Sequence, residues 1–450
     1  MNILQTLLII AACYATYTEA GNYDYKQVLQ KSLLFYEAQR SGKLPSDQKV
    51  TWRKDSALND RGNNGEDLTG GYYDAGDFVK FGFPMAFTAT VLAWTIIDHE
   101  SAYNSAGSMD DARKAVKWAT DYFIKCHVDE TTLYGQVGNG QLDHNSWGRP
   151  EDMTMERPAY KIDASAPGSD LAAETAAAFA AASLVFKSVD QSYSNTLLTH
   201  AKQLFDFANN HRAIYSDSIA DAKLYYASTS YEDELIWGAA WLYRATNDQS
   251  YMSVVDELWE GIMYDDGFGW DNKKSGADVI LYKLTQDSKY TDRLKAMCDY
   301  VFNSTPRTPK GLIFLGDWGS LRNAANSMFI CLEAANLGID ADNYRTQSKS
   351  QIDYMLGDGG HSYVVGFGDN YPKYAHHRSS SCPDAPAVCD WNFFGSDQPN
   401  AHVLEGALVG GPGQNDDWTD TRQDAQHNEV ADDYNAAFQG SLVNLIDAGY

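Results

Sequence analysis

Apolar residues recur at spacings of three and four along most of this chain, the pattern of helices that bury one face. It predicts helices over 25–40, 85–99, 110–126, 169–187, 192–210 and 231–245, then over 251–263, 277–284, 290–302, 321–337, 344–356 and 431–448. Strand-like alternation is scarce, its best example being 360–365. The stretch DLAAETAAAFAAASLVF is apolar on every side, with Asp170 placed to cap its first turn, and it belongs in an interior. A dozen helices, some buried and some amphipathic, predict an all-α fold whose layers close into a toroid or barrel. An open solenoid would need a repeated period, which is absent. Between the helices run long segments rich in Gly, Asp, Asn and aromatics, and long loops in a compact domain tend to carry function. With no Ser/Thr/Pro-rich linker, 21–450 reads as one domain.

Composition narrows the classes of partner. Sixty-one acidic against 35 basic residues give a formal charge of −26, which repels nucleic acid and anionic membranes and favours a neutral or cationic partner. The first twenty residues carry an apolar run from Ile3 to Cys13 followed by small residues, the layout of a secretory signal cleaved between Ala15 and Ala20. The run is too short to span a bilayer, so a secreted, extracellular protein is expected. Losing Cys13 leaves five cysteines, of which at least one stays unpaired. Cys382 and Cys389 are the expected disulfide, with a zinc site involving His376 and His377 as the rival. Cys126, Cys298 and Cys331 fall in apolar helical patterns and read as buried thiols. Asn303 begins the one glycosylation acceptor, with Pro306 behind it.

Two stretches carry candidate chemistry. GGYYDAGDFVKFGF, from Gly70 to Phe83, sets Asp74 and Asp77 among glycines and aromatics. Glycine lets such a loop fold back so that two carboxylates share one space and can hold and deprotonate a water. The same residues also fit a solvated turn. WTDTRQDAQHNEVADDYNAAF, from Trp418 to Phe438, places Glu429 beside apolar residues at a helix start. Desolvation raises a carboxyl's pKa and a helix N-terminus lowers it, so Glu429 reads either as a proton donor or as a cap.

Taken with QVGNGQLDHNSWGRPEDM, GDWGSLRNAAN and SYVVGFGDNYPKYAHHR, these stretches resemble the glycoside hydrolase family 9 cellulases along essentially the whole mature chain. The resemblance is to the compact secreted endoglucanases of animals. It implies an (α/α)6 six-hairpin barrel with an open cleft, and endo-hydrolysis of β-1,4-glucan with inversion. It implies Asp77 as general base, Asp74 as the residue that positions the water, and Glu429 as general acid. His376 and Arg378 would contact the sugar beside the scissile bond, and Asp420 would orient Arg378 or the loop carrying Glu429. His144, Trp147, Tyr225, Trp318 and Tyr434 match cleft positions, Trp270 is a further candidate, and aromatic faces there would stack on glucose rings. Ala375 and Ala425 depart from the family pattern at flanking positions.

STSYEDELIWGAAW matches a family calcium site, with oxygens from Thr229, Ser230, Asp233, Glu234 and Asn272, and a structural Ca2+ suits such donors. Ser230 and Asp233 also read as a capping box without any metal. No cofactor is expected for the chemistry. The expected partners are cellulose, soluble β-glucans and cello-oligosaccharides, acted on by a monomer. Lichenan, xylan or chitosan is the alternative substrate, and a sugar-binding protein without activity is the alternative outside the enzymes.

Overall fold

The structure, a computed structural model, describes residues 23–261 and 267–450, so the secretory signal expected over 1–20 lies outside the described residues, as does the expected helix end at Met263. Among the described residues, twelve helices of nine residues or more form two concentric rings. The inner ring runs Gly82–Asp98, Ser169–Phe186, Glu232–Thr246, Lys274–Thr285, Ser320–Asn336 and Asp432–Asp447. Each packs on the next, and the last closes on the first. Tyr25–Gln39, Met109–Cys126, Gln191–Asn210, Ser250–Leu258, Ser288–Asn303 and Ala341–Asp353 lie outside them. This is the six-hairpin barrel.

Sequence decides which helix goes where. Ser169–Phe186 is buried on nearly every side, and its alanines let Gln191–Asn210, Glu232–Thr246 and Gly82–Asp98 all approach closely. It is also the one helix, among the described residues, long and apolar enough to cross a membrane, and here it lies in the barrel interior. Met109–Cys126 instead buries Ala112, Ala115, Val116, Ala119 and Phe123, a single stripe, and keeps its charged face outward. Asp24, Asp190 and Asp287 cap outer helices by accepting backbone N–H bonds from Gln27, Tyr193 and Lys289. Asp170 acts differently from a simple cap: its carboxylate accepts from Leu171 N–H and from Tyr215 N–H, each at 2.9 Å, and so fastens a neighbouring loop to the helix start.

The expected strand at 360–365 is absent apart from one bridge between Val364 and Leu408. The sheet lies elsewhere, with Thr132–Val137 pairing antiparallel to Lys80–Phe81, His127–Asp129 and Ala159–Ile162. Thr132–Val137 is buried on both faces, so it shows no alternation to read. The cysteines also bring a correction. Cys298 and Cys331, expected as thiols, form a disulfide between Ser288–Asn303 and Ser320–Asn336 with their Cα atoms 5.7 Å apart. Both lie on apolar faces of adjacent helices, where burial and pairing look alike in a sequence. Cys382–Cys389 is bonded as expected, and Cys126 is a buried free thiol. The zinc alternative falls, because both sulfurs are paired and both ring nitrogens of His377 are engaged, by Gln39 and by Ser380.

Candidate active site

One end of the barrel holds a cleft of about 670 Å3 lined by Asp74, Asp77, Glu429 and a series of aromatics. Each lining residue sits on a segment that enters the N-terminal end of an inner helix, or in that helix's first turns. Asp74 and Asp77 precede Gly82–Asp98, His144 and Trp147 precede Ser169–Phe186, and Tyr225 precedes Glu232–Thr246. Trp270, Trp318 and Glu429 precede the remaining three. Helix N-termini carry partial positive charge, so this is the end of the barrel at which a group of carboxylates is best tolerated.

Gly70 and Gly71 take positive φ values of 99° and 73°, which turn the chain into the acidic loop. Asp74 N–H then bonds Val79 O at 3.0 Å, closing the loop over Asp77. Gly76 is required for a different reason. Its backbone oxygen accepts from Arg378 N–H at 3.1 Å, and any Cβ there would collide with the backbone oxygen of His376. Gln39 donates to Tyr73 O and Ala75 O while its own oxygen accepts from His377, so one buried amide ties both loops together. Glu429 is placed by His376 N–H bonding Asn428 O at 2.7 Å and by Gly410 N–H bonding Glu429 O at 2.9 Å.

The carboxyls are not equivalent. Burial, then the nearby charge of Asp77, pushes Glu429 up to about 8. Asp74, also fully buried, is raised well above the usual carboxylate range by desolvation and by Asp77 beside it. Its Oδ2 accepts from the Tyr226 hydroxyl at 2.5 Å, while its Oδ1 is buried without a protein partner. Asp77 Oδ2 lies 3.3 Å from His144 Nε2, and its Oδ1 is likewise unpartnered. That hydrogen bond raises the His144 pKa. His376 is held down to about 4 by burial, and its Nδ1–H donates to Arg422 O. A neutral ring with Nδ1 protonated leaves Nε2 as an acceptor at the cleft wall.

All the expected sugar-contact residues line this space: His144, Trp147, Tyr225, Trp270, Trp318, Arg378 and Tyr434. Asp420 does not. Its carboxylate accepts from the backbone N–H groups of Lys373 and Tyr374 at 2.6 and 3.0 Å, so it anchors the strand of loop leading to His376 rather than Arg378. Arg378 is instead held by Asp143, whose Oδ2 lies 2.5 Å from Nη1. Asp143 also accepts from Phe78 N–H, linking this pair to the acidic loop. Sequence reasoning passed over Asp143, Tyr226, Trp391 and Phe394. Asp143 and Tyr226 are direct neighbours of His144 and Tyr225, and nothing in the sequence distinguishes which member of each pair faces the carboxylates.

At the calcium candidate, Ser230 Oγ donates to Asp233 Oδ1 at 2.8 Å. Asp271, not Asn272, presents a carboxylate to Thr229, accepting from its N–H and its hydroxyl. The Asn272 side-chain oxygen faces Lys274 N–H at 3.2 Å. Glu234 Oε1 lies 3.2 Å from Lys273 Nζ, whereas its Oε2 is buried with no partner. Burial and the charges of Asp233, Asp170 and Asp271 raise the Glu234 pKa. Hard oxygen donors, excess negative charge and an orphaned carboxylate oxygen fit a calcium ion, with Asp271 in place of Asn272.

Comparison with known proteins agrees with this architecture. The family model described as glycosyl hydrolase family 9 matches residues 25–442. An endoglucanase structure from the termite Nasutitermes takasagoensis is 64% identical with a TM-score of 0.95, covering 96% of this chain and 100% of that one. A Clostridium thermocellum endoglucanase solved with cellobiose and cellotriose is 34% identical with a TM-score of 0.84, covering 95% of this chain and 71% of its own. Endoglucanase B of Cellulomonas fimi is 46% identical over 95% of this chain, which spans only 42% of that longer protein.

Proposed function

Since this chain belongs to glycosyl hydrolase family 9, we propose that it is a secreted, single-domain endo-β-1,4-glucanase that inverts the anomeric centre. The observation that carries the reading is the inequality of its carboxyls. Glu429, pushed to about 8, holds a proton at neutral pH. Asp77 stands beside His144 with one oxygen unclaimed. Hydrolysis of a glycosidic bond needs such an acid and such a base.

Glu429 gives its proton to the glycosidic oxygen as the bond to the anomeric carbon breaks. A water on the opposite face attacks that carbon and gives its proton to Asp77. Burial and the charge of Asp77 beside it raise the pKa of Asp74. Tyr226 fixes its Oδ2, and its Oδ1 is left to hold the water. His376 Nε2 accepts from a sugar hydroxyl, Arg378 is fixed by Asp143 to donate to another, and Trp147, Trp270 and Trp318 supply faces for stacking. The product leaves with Asp77 protonated and Glu429 ionised, and exchange with solvent resets both.

The C. thermocellum relative is described as complexed with cellobiose and cellotriose, which supports cello-oligosaccharides as ligands here. Calcium, where bound by Thr229, Ser230, Asp233, Glu234 and Asp271, would hold the loops before Glu232–Thr246 and Lys274–Thr285 together and take no part in the chemistry. Chelation should then lower the melting temperature by several degrees, with added Ca2+ restoring it; a melt indifferent to chelator would remove the ion from this account.

The deciding experiment follows the first product released from a cello-oligosaccharide by proton NMR before mutarotation. Fresh α-anomer is expected. Fresh β-anomer would mean retention and would rule out Asp77 as a water-activating base. Parallel assays on lichenan, xylan and chitosan settle the alternative substrates, and no release from any of them would leave only the sugar-binding alternative.

A further inference from the structure

The residues Asp390–Phe394 belong to none of the sequence stretches that suggest catalysis, yet they reach the cleft. Trp391 lines it and is 47% exposed, an unusual state for a tryptophan. The ring is nevertheless fixed. Its Nε1–H donates to Asn145 O at 3.1 Å. One side packs on Phe394 with centroids 5.2 Å apart and on Trp147 at 5.8 Å. Trp147 in turn packs 5.4 Å from His376, so a continuous run of rings leads from the reaction centre outward to Trp391.

The segment that delivers Trp391 is braced. Cys382–Cys389 closes the loop before it, and Arg149 Nη1 donates to Pro383 O and Ala387 O at 2.7 and 2.8 Å. Asp390 caps the short helix Trp391–Phe394, accepting from Asn392 N–H and Phe393 N–H. Such bracing is not needed to keep an ordinary surface tryptophan in place. It does suit a rigid apolar face held out for a ligand, because little side-chain freedom is left to lose on binding.

We propose that Trp391 is an outer sugar-binding platform that lets the cleft grip a β-1,4-glucan beyond the residues around the scissile bond, favouring long chains over short ones. The inference rests on the glucanase reading, and it assigns to Trp391 a role in binding and none in bond cleavage. A pyranose ring presents C–H faces that pack on an indole. Stacking at a distant site adds affinity chiefly for substrates long enough to reach it, so it should show in KM and spare kcat.

The test compares native protein, Trp391→Ala and Trp391→Phe on a graded series of cello-oligosaccharides and on carboxymethyl cellulose. For Trp391→Ala, kcat/KM on the shortest cleaved oligomer should stay within about twofold of native. On the longest it should fall on the order of tenfold, through KM. Trp391→Phe should recover most of the loss. A loss equal at every chain length would indicate damage to the loop, and no loss at any length would indicate an idle ring; either overturns the platform. A native protein that cleaves no member of the series overturns the glucanase reading itself, and the platform with it.

Discussion

Glu429 illustrates how one side chain's surroundings set a pH limit on the whole reaction. As the proton donor it must enter the cycle protonated, and burial with Asp77 nearby places its pKa at about 8. Activity should therefore hold through neutral pH and decline as pH rises through about 8, a limb visible in kcat/KM measured with free enzyme. Glu429→Gln cannot donate. Its turnover of unactivated glucan should fall by about 10²–10⁴-fold, while substrates with acidic leaving groups, which need little protonation, should lose far less. The variant should also lack the limb near pH 8. An equal loss on both substrate types, or a limb that survives the substitution, would assign the proton to another group. Asp143 is pushed to about 6 by burial and by Asp77, so its own ionisation falls on the other side of neutrality and is separable from that of Glu429.

The loops show what can and cannot be seen in a linear sequence. Every long inner and outer helix is legible, most by a 3.6-residue period and Ser169–Phe186 by an unbroken apolar run, and the described ends fall within a few residues of expectation except for Ser250–Leu258, whose expected end at Met263 lies outside the described residues. The carboxylates are legible only in part: the glycines and aromatics around Asp74 and Asp77 fit a solvated turn as well as a built loop, Glu429 reads equally as a helix cap, and it is the family resemblance that singles the three out. What stayed hidden depends on contacts between distant segments. Asp420 reads in sequence as a partner for Arg378 or for the loop carrying Glu429; in space Arg378 belongs to Asp143, and Asp420 fastens its own loop to the backbone of Lys373 and Tyr374. Trp391 is held at the cleft in part by Asn145, more than two hundred positions earlier, whose backbone oxygen accepts its N–H. Gly76 is the sharpest case: in sequence it is a turn residue, in space the point where the acidic loop touches the loop of His376. Gly76→Ala should force the two loops apart at a cost of about 1–3 kcal/mol. Thermal melting and kcat should drop together, whereas Gly65→Ala, which has open space around its Cβ but also a positive φ of 92°, should cost stability and leave kcat intact. A Gly76→Ala protein with native kcat would show that the contact between loops does not align the carboxyls.

The end of the barrel away from the cleft has its own buried charges, and they tie the ring shut. His99, just past Gly82–Asp98, bonds Glu333 Oε1 at 2.7 Å and Asp447 Oδ2 at 2.8 Å. Lys283 bridges Glu333 and Asp98 at 2.7 and 2.8 Å, and Arg244 meets Asp98. These residues lie in or just beyond the last turns of five inner helices, where cations also offset the negative helix ends. Although burial opposes its charge, the two carboxylates raise His99 to about 9 from an ordinary 6.5. A histidine whose folded pKa is raised stabilises the fold fully below the unfolded value, and the contribution disappears as pH climbs through the folded one. Glu333, Asp447 and Asp98 are lowered, so their share is present above the ordinary carboxylate range and lost on acidification. Together they should make this end of the barrel strongest between about pH 5 and 6.5, weakening by up to about 3 kcal/mol toward pH 9. Glu429 ionises in the same alkaline interval, so native protein alone would confound the two. Urea midpoints for native and His99→Gln protein should differ most near pH 6 and converge by about pH 9, because only the native chain has an imidazolium to lose. A difference that stays constant with pH would mean that His99 packs there as a neutral ring and that the closure of the barrel does not depend on its charge.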